Sequence, residues 1–158
     1  MEPPSFGQEM TEISPEKMAE LARLMGERAT GDGTQVFGSF FLSRLLGFEV
    51  SYTDEACIVA FDVMPGLFNP QGTLHGGILA TAMDISMGHL LNRNDGPGAT
   101  LEMKVQYLAS VASGRVRCEG RFLRRGRSIS FLQSTASAED GKLIAHATAT
   151  WKPLRLER

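Results

Sequence analysis

Apolar residues near the N-terminus recur at helical spacing in two segments. Ser14-Pro15-Glu16 combines a capping hydroxyl, a proline at the first helical position and an acid in the first turn, which predicts a helix that ends near Arg28. A glycine-rich loop at 30–34 follows this helix. A second, short helix closed by Gly47 is predicted from five apolar residues: Phe37, Phe40, Phe41, Leu45 and Leu46.

Most of the remaining chain alternates with period two, which is the spacing of half-buried strands. Segments 48–53 and 56–63 alternate on either side of a turn at Asp54-Glu55, and Asp140-Gly141 marks a tight hairpin further on. Between these two turns, an apolar helix is predicted at 76–92. Four further strands are predicted at 100–108, 115–124, 128–138 and 142–152.

This order of elements favours an α+β fold with an antiparallel sheet. Two helices precede two strands, one long helix follows, and the last four strands are expected in hairpin succession. We divide the chain into a helical extension, residues 1–47, and a main domain, residues 48–158. Because the long helix is apolar on most faces, it must be wrapped by the sheet or shared with a partner chain.

Composition narrows the class of protein. The 158 residues include 16 Lys and Arg against 18 Asp and Glu, a net charge of −2, which argues against nucleic-acid and membrane partners. Residues 1–10 have neither a basic start nor an apolar run, and no stretch reaches the roughly 18 apolar residues of a membrane span, so we expect a soluble, cytoplasmic protein. Cys57 and Cys118 have no CxxC neighbour, which predicts buried free thiols and no metal site.

Asp84 is the one formally charged side chain in the segment 76–92. An unpaired ionised carboxylate in an apolar helix is costly, or it is neutralised by a raised pKa. Such a group is a candidate general base. Small residues such as Ala80 and Gly88 share its helical stripe and leave room for a ligand or a second helix. The alternative is a structural aspartate that is hydrogen-bonded to a neighbouring strand.

Gly76 and Gly77 open the long helix. Amide N–H groups at a helix start lack intrahelical acceptors and can hold an oxyanion, although two glycines can also simply permit close packing. Asp84 lies about 12 Å further along the axis at 1.5 Å per residue. A base and an oxyanion donor must each lie about 3 Å from the atoms they serve, so one helix cannot easily supply both. Antiparallel helices across a dimer axis can, and we predict an obligate homodimer with shared sites.

The loop before the long helix carries two polar candidates. Asn69 precedes Pro70, and it either forms the turn that ends a strand or holds a water or a thioester oxygen. His75 either takes part in catalysis or fixes the loop through its ring. We favour the fixing role because Asp84 already offers a base. His89 and His146 are expected to be packing or surface residues.

The segment Asn69-Pro-x-Gly-Thr-x-His-Gly-Gly77, followed by Asp84, resembles the hotdog-fold acyl-CoA thioesterases of the phenylacetate-degradation (PaaI-like) branch. The resemblance covers about residues 48–152, including the strand that begins at Thr100. It implies a curved antiparallel sheet wrapped round the long helix, and dimers whose sheets join and commonly pair into tetramers. Coenzyme A is part of the substrate, so no separate cofactor is expected.

The resemblance also implies roles for single residues. Asp84 is implied as general base or nucleophile, the Gly76 amide as oxyanion donor, and Asn69 as a group that orients water or the carbonyl. Relatives often place a serine or threonine near the start of the following strand to assist the acid, and Thr100 stands there. Alternation puts Thr100 on the polar face with Glu102, away from the helix unless the strand start is bent.

Coenzyme A carries phosphates, so an acidic protein that binds it needs a local basic patch. The densest patch, which is otherwise a solvated turn, comprises Arg124, Arg125 and Arg127. The phenylalanines at 37–41 either cap an acyl pocket or belong to the core.

Hydrolysis of an aromatic or medium-chain acyl-CoA is the predicted function. A non-catalytic acyl-CoA-binding module is the alternative. A hydratase or dehydratase of the same fold is disfavoured, because such enzymes generally set an acid and a histidine together where the helix begins, whereas Asp84 lies two turns inside it.

Overall fold

The computed structural model describes residues 12–154. It contains three α-helices, α1 (Pro15–Thr30), α2 (Phe41–Leu45) and α3 (Gly76–Asp95). The Ser14 hydroxyl accepts a hydrogen bond from the Lys17 N–H at 3.2 Å and caps α1 as predicted. Helix α2 is shorter than predicted, because Val36 and Ser39 pair in a bridged turn that keeps Phe37 outside the helix.

Six strands form one sheet, and every neighbouring pair is antiparallel. Each predicted strand begins and ends within two residues of an observed one, because alternation defines the strands well. A single 3₁₀ turn at Pro65–Leu67 was not predicted. The strands are β1 (Glu49–Tyr52), β2 (Ala56–Asp62), β3 (Gly98–Tyr107), β4 (Arg115–Arg124), β5 (Ser130–Ser137) and β6 (Leu143–Pro153).

The expectation of four strands in hairpin succession is wrong for β3. The strand order is β1-β2-β4-β5-β6-β3, so β4, β5 and β6 form a meander while β3 lies at the far edge beside β6. Segment 108–114 crosses from β3 to β4, and its Val111 carbonyl accepts the Leu74 N–H at 2.9 Å. This connection is too long for a tight turn, and it passes the start of α3 instead of closing a hairpin.

The sheet wraps round α3, which contacts every strand from β2 to β6. Most of the helix from Leu79 to Leu91 is buried, as its apolar sequence predicted. The free thiols of Cys57 and Cys118 lie in the same core, and burial raises the pKa of each to about 12. Of the described helices, none has the length and apolar character needed to cross a membrane.

The N-terminal helices pack beside this domain. The Arg44 guanidinium donates to the carbonyls of Ala29 at 3.2 Å and Thr34 at 2.8 Å, which joins the end of α1 and the following loop to α2. His89 of α3 is buried and accepts the Gly38 N–H at 2.8 Å, so it is a packing residue as expected. The division of the chain at residue 47 stays a prediction.

Replacement of Gly120 by alanine tests the contact between α3 and the sheet. A Cβ at Gly120 would lie 2.5 Å from the Ser86 carbonyl oxygen, which is helix backbone. Because backbone cannot move aside cheaply, we expect Gly120→Ala to lower the free energy of unfolding by on the order of 1–3 kcal/mol. Urea unfolding of the two proteins measures this change.

The control is Gly26→Ala in α1, where a Cβ meets no atom of the described chain within 4 Å. This substitution should raise the free energy of unfolding by about 0.5–1 kcal/mol, since alanine is the better helix former. If Gly120→Ala unfolds at the same urea concentration as the wild type, the close approach of helix and sheet is refuted.

Candidate functional site

The start of α3 presents one free amide. The His75 Nδ1 atom accepts the Gly77 N–H at 2.9 Å and caps the helix, which is the fixing arrangement favoured from the sequence. Within residues 12–154, the Gly76 N–H has no hydrogen-bond acceptor. Gly76 is therefore the residue whose amide can serve an oxyanion, whereas the Gly77 amide is already engaged.

Asn69 is engaged within its own loop. Its Oδ1 atom accepts the N–H groups of Gln71 at 3.0 Å and Thr73 at 3.2 Å, and its Nδ2 donates to the Thr73 hydroxyl at 3.1 Å. These bonds match the turn-forming alternative. In this arrangement Asn69 shapes the wall of a cleft beside Gly76.

Tyr107 of β3 covers the other side of Gly76. Its hydroxyl donates to the Gly76 carbonyl at 2.8 Å, and its ring lies 3.2 Å from where a Cβ of Gly76 would be. Period-two alternation groups Tyr107 with the apolar Met103 and Val105, which predicts a buried side chain, yet 53% of Tyr107 is exposed. A cleft of about 390 Å³ lies here, lined by Asn69, Gln71, Thr73, Leu74, Gly76, Leu79, Tyr107, Leu108, Ala109, Ser110 and Val111.

Thr100 contacts Asp84. The Thr100 hydroxyl donates to the Asp84 Oδ1 at 3.0 Å. The expectation that Thr100 shares the polar face with Glu102 is wrong, because a β-bulge lies between them. Thr100 pairs with Trp151 and Glu102 with Thr150, which leaves Leu101 as an extra residue. A bulge reverses the alternation, so Thr100 faces the helix.

Asp84 is half-buried and only partly satisfied. Burial raises its pKa above the ordinary 3.8, and the smaller opposing effect is the Thr100 hydrogen bond. The second carboxylate oxygen has no hydrogen-bond partner within residues 12–154, and it retains access to solvent. The strand-bonded aspartate considered from the sequence is thus present, and one oxygen stays open for chemistry.

One chain does not bring Asp84 and Gly76 together. Gly76 lies beside Tyr107, at the end of β3, and Asp84 lies beside Thr100, near its start. The two helix residues are about 12 Å apart along α3. A single chain thus presents the two halves of a candidate site at opposite ends of its edge strand.

The arginine patch is only partly free. The Arg125 Nε atom bonds both Asp95 carboxylate oxygens, at 2.9 and 2.8 Å, and Nη2 donates to the Asn94 carbonyl. Arg124 and Arg127 are exposed and form no salt bridge within residues 12–154. Arg127 borders a cleft of about 510 Å³ at the end of α3.

Only part of the predicted phenylalanine cluster lines a cavity. Phe37 and Phe40 border a space of about 290 Å³ beside His89, whereas the Phe41 side chain is exposed. His146 lies 3.4 Å from the Gln133 side chain. In the described part of the chain, no group of three His, Cys, Asp or Glu side chains could hold a metal ion.

Comparison with known proteins relates this geometry to a family. Residues 71–145 match the thioesterase superfamily. A putative esterase of Saccharolobus solfataricus is 37% identical over 86 residues, which cover 53% of this chain. The match spans 61% of that esterase, which is less than two thirds of its length. The medium/long-chain acyl-CoA thioesterase YigI of Salmonella typhimurium is 27% identical over 128 residues, covering 69% of this chain and 83% of that protein.

The fold also matches solved structures. The conserved protein PA5202 from Pseudomonas aeruginosa superposes with a TM-score of 0.70 at 31% identity, covering 74% of this chain and 96% of that protein. The expected hotdog architecture, a sheet wrapped round one long helix, is thereby confirmed.

Asp84→Asn should stabilise the protein at neutral pH. A carboxyl whose pKa is raised by folding favours the folded state below its unfolded pKa and loses that contribution as pH rises through the folded pKa. Asparagine can still accept the Thr100 bond, so the variant should unfold at higher urea than the wild type at pH 7. The difference should shrink as pH falls toward 3.8.

Both proteins are compared at one protein concentration, because assembly also affects unfolding. A variant that is less stable by the same amount at every pH would show that the carboxylate is fully compensated in the folded state.

Proposed function

Because this chain belongs to the thioesterase superfamily, with the fold and motif of its PaaI-like hotdog branch, we propose that it is an enzyme that hydrolyses an acyl-CoA thioester to the free acid and CoA. The observation that carries the proposal is Asp84. It is half-buried, its pKa is raised by burial, one oxygen accepts the Thr100 hydroxyl, and the other has no hydrogen-bond partner in the part of the chain that the structure describes. A carboxylate placed in this way is suited to general-base or nucleophilic work.

The chemistry needs two groups. Asp84 either takes a proton from water or attacks the thioester carbon itself, and the Gly76 N–H stabilises the negative charge that develops on the carbonyl oxygen. The C–S bond breaks, the acyl carbon ends bonded to a water oxygen, and the CoA sulfur leaves with a proton. Thr100 keeps Asp84 oriented, and His75 keeps the start of the helix fixed.

The edge strand supports sites shared between two chains. Among the strands of residues 12–154, β3 has a neighbour on one side only, and such edges pair readily with another chain. Antiparallel pairing of two β3 strands about an axis between Met103 and Lys104 sets Thr100 opposite Tyr107 of the second copy. Since Thr100 holds Asp84 and Tyr107 holds Gly76, each Asp84 then approaches the Gly76 amide of the other chain.

The obligate homodimer is part of the proposal, and so is its pairing into a tetramer. Leu123 and Phe131 are apolar side chains exposed at 54% and 41%. They border one shallow cleft on the sheet surface opposite α3. Contact between two dimers there would cover apolar area of the kind that oligomer interfaces use.

The substrate assignment has two parts. We propose that the CoA phosphates bind Arg124 and Arg127, the members of the patch that are free of salt bridges within residues 12–154. The acyl group is proposed to be aromatic or of medium length, which the phenylalanine-lined space near His89 would suit. The YigI relative is named for medium- and long-chain acyl-CoA.

Thiol release from a panel of aliphatic and aromatic acyl-CoAs tests the proposal. We expect the wild type to release CoA from at least one member, and Asp84→Asn to lower kcat by about 10²–10⁴, the usual contribution of a general base. Asp54→Asn, in the exposed turn between β1 and β2, is the matched control and should keep full activity.

The panel also separates the alternatives. If the folded wild type releases no thiol above background, the chain is better described as a non-catalytic acyl-CoA-binding module. Equal rates in the wild type and Asp84→Asn would remove Asp84 from the mechanism. The hydratase alternative stays disfavoured, because His75 caps the helix while Asp84 lies two turns inside it.

Mixed subunits test whether sites are shared. Gly76→Pro removes the N–H at the first helical position, where proline is tolerated, and should lower kcat by about 10²–10³. Gly76→Ala adds a carbon against Tyr107 but keeps the N–H, so it is the steric control. A verified heterodimer of Gly76→Pro and Asp84→Asn would hold one intact site and one doubly altered site, and should recover activity toward half of the wild-type value.

Gly76→Pro must first be shown to fold, by urea unfolding. Heterodimers that recover nothing would place both groups of each site in the same chain.

A further inference from the structure

Trp151 is the one tryptophan of the chain, and its indole N–H is buried in the core. The residue is 5% exposed, and its Nε1 atom is buried without a hydrogen-bond partner within residues 12–154. An indole N–H can only donate. Buried polar groups in proteins are nearly always hydrogen-bonded, and ordered water supplies the partner where protein does not. This donor therefore needs an acceptor that the described chain does not provide.

Two contacts relate Trp151 to the surroundings of Asp84. Trp151 of β6 pairs with Thr100 of β3, and directly opposed residues of antiparallel strands share a face of the sheet. The ring also lies against α3, since a Cβ at Gly88 would be 2.5 Å from Cη2 of Trp151. Gly88 is one helical turn after Asp84. The indole thus lies beside the threonine that binds Asp84 and under the next turn of its helix.

The other charged groups near Trp151 either point to the opposite face of the sheet or are already paired. Glu102 follows Thr100 on β3, and Lys152 follows Trp151 on β6. By strand alternation both side chains point to the face of the sheet opposite Trp151. Asp95 is paired with Arg125 beyond the third turn after Asp84. Among these acids, Asp84 is the one whose hydrogen-bond partner, Thr100, pairs directly with Trp151.

We propose that Trp151 is a positioning residue for Asp84, and that its Nε1–H holds an ordered water which donates a hydrogen bond to the Asp84 carboxylate. The water accepts from the indole and donates to the acid, so the indole N–H gains the acceptor that it otherwise lacks within residues 12–154. A water that already accepts a hydrogen bond donates more strongly. The inference rests on the proposed role of Asp84, and it adds a second hydrogen bond, after that of Thr100, to the carboxylate.

The indole resonance tests this link without any activity. With a single tryptophan, the ¹H–¹⁵N spectrum of the full chain has one indole N–H signal. We expect its shifts to change with pH at one midpoint that coincides with the titration of Asp84. The change should be absent in Asp84→Asn and retained in the control Asp54→Asn. An indole signal that is flat with pH in the folded wild type, or that titrates alike in Asp84→Asn, would overturn the proposal.

A second variant keeps the test decisive if Asp84→Asn folds poorly. Thr100→Val removes the hydrogen bond that lowers the pKa of Asp84, so the midpoint seen by the indole should move to higher pH. An unchanged midpoint in this variant would also overturn the coupling.

Kinetics then separate positioning from packing. Trp151→Phe keeps a ring against Gly88 but removes the N–H. Because a hydrogen bond to the charged form is lost, the acid limb of the kcat–pH profile should move to higher pH with KM little changed. A variant that loses only stability, with the limb unmoved, would show that Trp151 merely packs. If the wild type releases no thiol, the hydrolytic function is refuted. The indole titration still decides whether a water links Trp151 to Asp84.

Discussion

Close packing of α3 against the sheet fixes the positions of Asp84 and Gly76 relative to β3. A side chain at Gly120 would clash with the Ser86 carbonyl, and a side chain at Gly88 would clash with the Trp151 ring. A buried hydrogen bond of 2.9 Å between Ser86 and Ser134 crosses the same interface. Because protein interiors are packed like solids, the helix cannot slide along the sheet. Its two ends are therefore fixed against the two ends of β3.

This fixed frame explains how a charge persists inside an apolar helix. Asp84 gives up part of its hydration, and Thr100 returns a single hydrogen bond. The part of the desolvation cost that this hydrogen bond does not offset lowers the stability of the fold, as is common at functional sites. The same frame keeps the Gly76 amide at a distance from the Asp84 of its own chain, and this separation is the ground for the proposed sites shared between two chains.

Local patterns were sufficient to predict the six strands, the first helix and the long helix, but not the 3₁₀ turn or the start of α2. The cap at Ser14, the alternating strands and the apolar helix all follow from spacing, and the Asn69–Gly77 segment indicated the fold. The position of β3 could not be predicted, because nothing in a strand's own sequence specifies which edge it joins. The bulge at Leu101 was equally hidden, and it decides that Thr100 meets Asp84.

Long-range pairing accounts for the other differences. Arg125 and Asp95 are 30 residues apart in sequence, and their contact leaves a smaller free basic patch than composition indicated. Tyr107 lay outside the predicted site, because alternation alone placed it in the core rather than against Gly76. The engagement of Asn69 within its loop is a local turn effect, and that alternative was visible in Asn69-Pro70.

The most direct measurement is the pKa of Asp84 itself. It is obtained from the ¹³C shift of the Asp84 carboxyl group as a function of pH, in the wild type and in Thr100→Val. The picture of a partly desolvated Asp84 held by Thr100 leads us to expect a pKa above the ordinary 3.8 in the wild type, and a still higher one when the threonine hydroxyl is removed. A pKa at or below 3.8, or one that Thr100→Val leaves unchanged, would contradict it.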